Sequence, residues 1–169
     1  MFLRQKHDRF ESMVRAYSRD LYRFGYWLCR DRVVAEDLVQ ETFARAWRNW
    51  EAVRDEKAAK AWLFTILHRE HARLFEKKHI EIDDTELDEA MAVIASTVQP
   101  SLEMRDALGA LPEGYREPLL MQVLGGFTCR EIAQALALTE AGVMQRLTRA
   151  RQAMRRLLEP EANAKERQR

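Results

Sequence analysis

One stretch near the C-terminus restricts the fold of this chain more than any other. Residues Thr128 to Leu158 read TCREIAQALALTEAGVMQRLTRARQAMRRLL. Thr128 and Glu131 have the spacing of a capping box, in which the hydroxyl caps the Glu131 amide and the carboxylate reaches back. Gly125 and Gly126, just upstream, end the preceding helix. Ile132, Ala133 and Leu136 mark one apolar face. The pattern breaks near Leu138, and Thr139 is placed to cap a second helix. In that helix Val143, Leu147, Ala150, Met154 and Leu157 recur at helical spacing. The opposite face holds Gln145, Arg149, Gln152 and Arg156, flanked by Arg146, Arg151 and Arg155. A short capped helix, a tight turn and a longer basic helix form the outline of a helix-turn-helix. The second helix is slim enough for a major groove, where its arginines face phosphates and guanine edges. An ordinary helical hairpin with a solvated basic face gives the same pattern, so the helices alone leave both readings open.

Composition points to an all-α chain. Helix formers dominate the 169 residues, glycine (6) and proline (4) are scarce, and β-branched runs are absent. The length suits one domain or two small ones. The net charge is only +1, so the placement of charge says more than its sum. No apolar run approaches the ~20 residues that a bilayer span needs, and no membrane insertion is expected. MFLRQKHDRF lacks a secretory apolar region, which predicts a cytoplasmic chain. Cys29 and Cys129 are too few and too far apart for a zinc site, and read as small buried apolar residues. His68 and His71 sit three apart without a third ligand at metal spacing, so neither a metal nor a cofactor is expected. No nucleophile–base pair or phosphate-cradling glycine loop is visible, which leaves an enzyme reading without support.

Upstream, Phe10 to Arg30 reads as a first helix with an apolar stripe of Phe10, Met13, Val14, Tyr17, Leu21, Phe24 and Leu28. Gly25 is a cost within it that the pattern does not explain. Asp31 caps a second helix reaching about Trp50, with Ala35, Leu38, Val39, Thr42, Phe43, Ala46 and Trp47 toward the core. Glu36, Asp37, Gln40 and Glu41 point outward. Acids in a first turn complement the helix dipole, which accounts for Glu36 but less well for Gln40 and Glu41. After a polar connection from Glu51 to Lys57, a third helix buries Ala61, Trp62, Leu63, Ile66, Leu67, Leu74 and Phe75. Its other side is basic, and is interrupted by Phe64 and Thr65. Rings between cations suit single-stranded nucleic acid, while a core Phe64 beneath a solvated basic face is the competing account. From Ile80 to Pro100 acids cluster without Lys or Arg, the signature of an extended tether, or of a charge mimic lying in a basic channel. Leu102, Met104 and Leu108 begin another helix, and Pro112 starts the next, where Leu119, Leu120 and Val123 are set to pack under the helix-turn-helix. The tail from Glu159 to Arg169 reads as frayed.

AEDLVQETFARAW (Ala35 to Trp47), AWLFTI (Ala61 to Ile66), LPEGYREPLLMQVLGGFTCREIAQAL and RLTRARQAMRRLL, in this order, resemble an extracytoplasmic-function (group IV) sigma factor of the sigma-70 family of bacterial RNA polymerase. The resemblance implies two small helical domains on a tether. Residues 1–78 correspond to a three-helix domain for polymerase binding and −10 recognition, and 79–100 to the acidic linker. Residues 101–158 correspond to the helix-turn-helix domain for −35 recognition, and 159–169 to the tail. It implies that Asp37, Gln40 and Glu41 dock on the clamp helices of the largest polymerase subunit. It places Phe64, Thr65, His68 and Arg69 against the unpaired −10 strand, and Met144, Gln145, Arg146, Thr148 and Arg149 against −35 duplex. Further implied partners are the flap of the second-largest subunit and an anti-sigma factor, with the two domains packed together in the free protein.

The chain departs from the family pattern at Ala137, where a glycine is common, and at Thr139, where a proline or other turn former is. Met144, Gly142 and Arg69 stand where Lys or Arg, Thr, and Asn recur. The promoter sequence therefore does not carry over. Two rival readings stand beside this one: a stand-alone helix-turn-helix repressor, which leaves Asp37 to Glu41 unemployed, and a protein-interaction adaptor, which does not need Arg149.

Overall fold

The computed structural model describes residues 2–50, 53, 55–78 and 101–159. Among these the chain is all-α, with seven helices and no strand: α1 (Phe2–Cys29), α2 (Arg32–Arg48), α3 (Glu56–Lys78), α4 (Leu102–Ala110), α5 (Glu113–Gly125), α6 (Cys129–Leu136) and α7 (Glu140–Leu158). The acidic stretch from Ile80 to Pro100, and the tail beyond Glu159, lie outside the described residues. Helix α1 starts well before Phe10, because LRQKHDR holds nothing that opposes a helix, although the apolar stripe begins only later.

Local chemistry sets the helix ends. The Asp31 carboxylate accepts from the Val34 amide at 3.0 Å and caps α2. Both halves of the Thr128–Glu131 capping box form at the head of α6, and Thr139 Oγ1 accepts from the Gly142 amide at 3.0 Å at the head of α7. Gly126 ends α5 in the left-handed region at φ +68°, while Ala137 ends α6 there at φ +54° without glycine's freedom. Pro112 stands at the cap position of α5 rather than inside its first turn. The proline within α5 is Pro118. Its missing N–H frees the carbonyl four residues earlier, Gly114 O, and Arg146 Nη1 of α7 reaches that oxygen at 3.5 Å.

Helices α1, α2 and α3 pack together, as do α5, α6 and α7, with α4 against α7. The two groups share one apolar core, since α5 also packs on α1 and α3, and α6 packs on α3. Leu21, Phe24 and Leu28 meet Leu38 and Ala46 and then Leu63, Phe64 and Leu67. Leu119, Leu120 and Met121 meet Ile132, Ala133, Val143, Leu147, Ala150 and Met154. The expected stripes need three corrections. Val123 is 69% exposed because α5 packs through Leu119 to Met121 instead, Leu157 is 44% exposed while its neighbour Leu158 packs on the core, and Trp47 lies at the rim of the bundle. Gly25 has a simple setting. A Cβ there would lie 3.6 Å from Leu67 Cδ1 and 3.8 Å from Ala35 O, which are ordinary contacts, so packing does not demand glycine.

Candidate nucleic-acid interface

The outward face of α7 is open. Met144, Gln145, Thr148 and Arg149 are exposed, and Arg146 is half-buried against α5. Arg149 Nη1 donates to the Tyr115 hydroxyl at 3.4 Å, and Arg151 hydrogen-bonds Gln122. These links tie the guanidinium ends to α5 and limit the rotamer freedom lost when an anion is bound. Glu140 is the one carboxylate of α7, in its first turn, so five arginines act on the face below it without local neutralisation. A rigid helix with an exposed amide (Gln145), a hydroxyl (Thr148) and guanidinium groups carries the donors and acceptors that base edges and phosphates require.

The third helix presents a different picture. Phe64 is 0% exposed. Its ring stacks on Phe24 with centroids 4.9 Å apart and meets Phe127 edge-on at 5.0 Å. Thr65 is half-buried and donates to Ala61 O at 2.8 Å. The His68 ring pairs with the Glu117 carboxylate of α5, and only Arg69 is fully exposed. The four residues expected against a −10 strand are thus not gathered on one open surface. Phe127, in the connection between α5 and α6, covers Phe64, and Glu117 of α5 covers His68.

That cover is a polar seam around an aromatic centre. Lys60 Nζ lies 3.2 Å from Asp20 Oδ2 and 3.3 Å from the Leu124 carbonyl near the end of α5, where a cation complements the helix dipole. His71 is buried, with Nδ1 3.8 Å from Glu113 Oε1. Burial lowers its imidazole to about 4, outweighing the Glu117 carboxylate that raises it. Arg116 donates to Gly109 O at 3.3 Å, and its guanidinium is also lowered, first by burial and then by Arg30. Glu113, Arg116, Glu117 and Phe127 were not singled out from sequence, and Lys60 only as one cation of the basic side of α3. The available signal was the pairing of Glu113 and Glu117 four apart with His68 and His71 three apart, each pair on one helix face.

On α2, Asp37 and Gln40 are exposed. Val33, one turn earlier on the same face, is exposed too. Glu41 is half-committed: Arg45 Nε lies 2.8 Å from its carboxylate and 2.8 Å from Glu70 Oε1 on α3. Among the described residues no group of three or more His, Cys, Asp or Glu is placed to hold a metal ion, and no helix is long and apolar enough to cross a membrane.

Comparison with known proteins gives a consistent result. Residues 13–79 match the family described as Sigma-70 region 2, and residues 101–154 match Sigma-70, region 4. The chain is 31% identical over 128 residues to the ECF RNA polymerase sigma factor EcfG of Rhodopseudomonas palustris (strain TIE-1), covering 73% of this chain and 71% of that protein. It is 29% identical over 154 residues to the ECF RNA polymerase sigma factor SigM of Bacillus subtilis (strain 168), covering 87% and 93%. Among solved structures it is similar to the sigma factor RpoE from Bartonella quintana in complex with the anti-sigma factor NepR. That match has a TM-score of 0.73 and 26% identity, over 90% of this chain and 98% of the other.

Proposed function

The chain belongs to the extracytoplasmic-function RNA polymerase sigma factors, and on that premise we propose that it binds core RNA polymerase and directs promoter recognition and opening. The chain supplies no catalysis; the polymerase does. Residues 1–78 and 101–158 act as two domains on the 79–100 tether. Asp37, Gln40 and the free side of Glu41, beside exposed Val33, form the polymerase-binding face of α2, where acids and an amide suit a basic coiled coil. Met144, Gln145, Arg146, Thr148 and Arg149 hold −35 duplex, with Arg146 and Arg149 on phosphates or guanine and Gln145 placed for adenine. Phe64, Thr65, His68 and Arg69 take the unpaired −10 strand, and unpaired bases gain contacts that they lack in the duplex, which favours opening. Because Phe127, between α5 and α6, covers Phe64, this last step needs the two groups of helices to separate. An anti-sigma factor is the regulator of matching kind, acting in the cytoplasm with the polymerase.

The observation that carries this reading is the open face of α7, which keeps its donors exposed while the α3 face is closed. The test is gel mobility of a promoter fragment with the chain alone, with core polymerase alone, and with both. The reading expects a sequence-specific complex only with both. Equally tight specific binding by the chain alone would favour the stand-alone repressor instead.

A further inference from the structure

Helix α7 carries its cations to one side of its outer face. Arg146 Nη1 donates to Gly114 O at 3.5 Å, Arg149 Nη1 donates to the Tyr115 hydroxyl at 3.4 Å, and Arg151 hydrogen-bonds Gln122, so all three lean toward α5. Arg155 and Arg156 stand in the last turn. The N-terminal half, the part of a recognition helix that meets base edges, exposes Ala141, Met144, Gln145 and Thr148 instead. Met144 is 59% exposed. We propose that this half of α7 reads A·T pairs, with the Met144 side chain and the Thr148 methyl against thymine 5-methyl groups, Gln145 on adenine, and the arginines left to hold phosphates. The inference rests on the promoter reading above and names the base pairs that α7 selects.

The hydrogen-bond donors decide against guanine. Thr148 Oγ1 donates to the Met144 carbonyl at 2.9 Å, so its proton serves the helix itself. An exposed Thr148 then offers a groove a methyl and an acceptor lone pair. A thioether has no proton to donate. Guanine shows only acceptors in the major groove, N7 and O6, and finds a partner in neither side chain. Cytosine has a donor for the Thr148 lone pair but bare carbon opposite Met144. Thymine alone shows a methyl there, and an unbranched thioether adapts its shape to one. Met144 and Thr148 lie one turn apart on the same face, about 5–6 Å between Cβ atoms. Base pairs rise by about 3.4 Å, so thymines in neighbouring pairs satisfy both side chains. Covering one methyl is worth about fourfold in affinity.

The full chain with core polymerase is used to select from a promoter library randomised over both elements. The selected duplex is then rebuilt with deoxyuridine for one thymidine at a time, which removes only the 5-methyl group. The expected result is A·T pairs at neighbouring −35 positions, with binding about fourfold weaker for each of two uracil substitutions there. Met144→Ala abolishes the uracil penalty at one position and Thr148→Ser at the other. Thr148→Val, which keeps the methyl and lacks the hydroxyl, retains it. Far-UV circular dichroism checks that each variant keeps the parent's helix content. Selection of G·C pairs at those positions, no uracil penalty in the parent, or a penalty undiminished in Met144→Ala overturns the inference and leaves the promoter reading standing. A library from which nothing is enriched removes the promoter reading and this inference with it.

Discussion

Phe64→Ala separates two accounts of one side chain. As an exposed stacking residue, Phe64 would cost little stability when truncated, within about 0.5 kcal/mol. In the structure it is fully buried between Phe24 of α1 and Phe127 after α5. Truncating such a phenylalanine costs about 3–5 kcal/mol in lost transfer and cavity energy, within which each aromatic pair accounts for about 0.5–1.5 kcal/mol. A protein of this size has about 5–15 kcal/mol in total, so the variant should lose a large share of its stability. Urea unfolding followed by far-UV circular dichroism reads the difference, and a double-mutant cycle with Phe127→Leu reads the part held across the seam, expected at about 0.5–1.5 kcal/mol. A Phe64→Ala loss under about 1 kcal/mol would refute the burial argument. The variant also warns against a false functional inference. Any transcription defect it shows must be compared with Phe64→Leu, which keeps most of the volume, loses chiefly the two ring pairs, and should cost about 1–3 kcal/mol.

Three further substitutions test local arguments by the same unfolding measurement. Thr128→Ala removes the hydroxyl half of the α6 capping box and should destabilise by about 1 kcal/mol. Ala137→Gly relieves a left-handed residue at φ +54° and should stabilise by up to about 1 kcal/mol, the strain removed less the added chain entropy. Gly125→Ala puts a Cβ 2.6 Å from Phe127 Cδ2. The ring is held against Phe64, so the change should cost about 1–3 kcal/mol.

Much of the fold was legible because short-range chemistry dictates it. Asp31, Thr128 with Glu131, and Thr139 each mark a helix start that the structure keeps, and the Val143, Leu147, Ala150 and Met154 stripe is buried as its spacing requires. What escaped is tertiary. Periodicity says that Phe64 interrupts a basic face, but not that Phe127, more than sixty residues later, closes over it. Val123 shares the apolar character of Leu119 and Leu120, yet only the packing of α5 decides which of them meets a neighbour. His68, His71, Glu113 and Glu117 were visible as pairs within helices, but their pairing across helices depends on a docking geometry that no local pattern encodes. The outward residues of α7 were easier, since an exposed face follows directly from the buried one.

Run-off transcription with purified core polymerase on a promoter template tests the central claim most directly. The account predicts start-specific transcripts that require this chain and that fall with Asp37→Ala and with Arg149→Ala, while both variants keep the parent's unfolding midpoint because these side chains are exposed. Absence of any transcript dependent on the chain, or full activity in both variants, would contradict it.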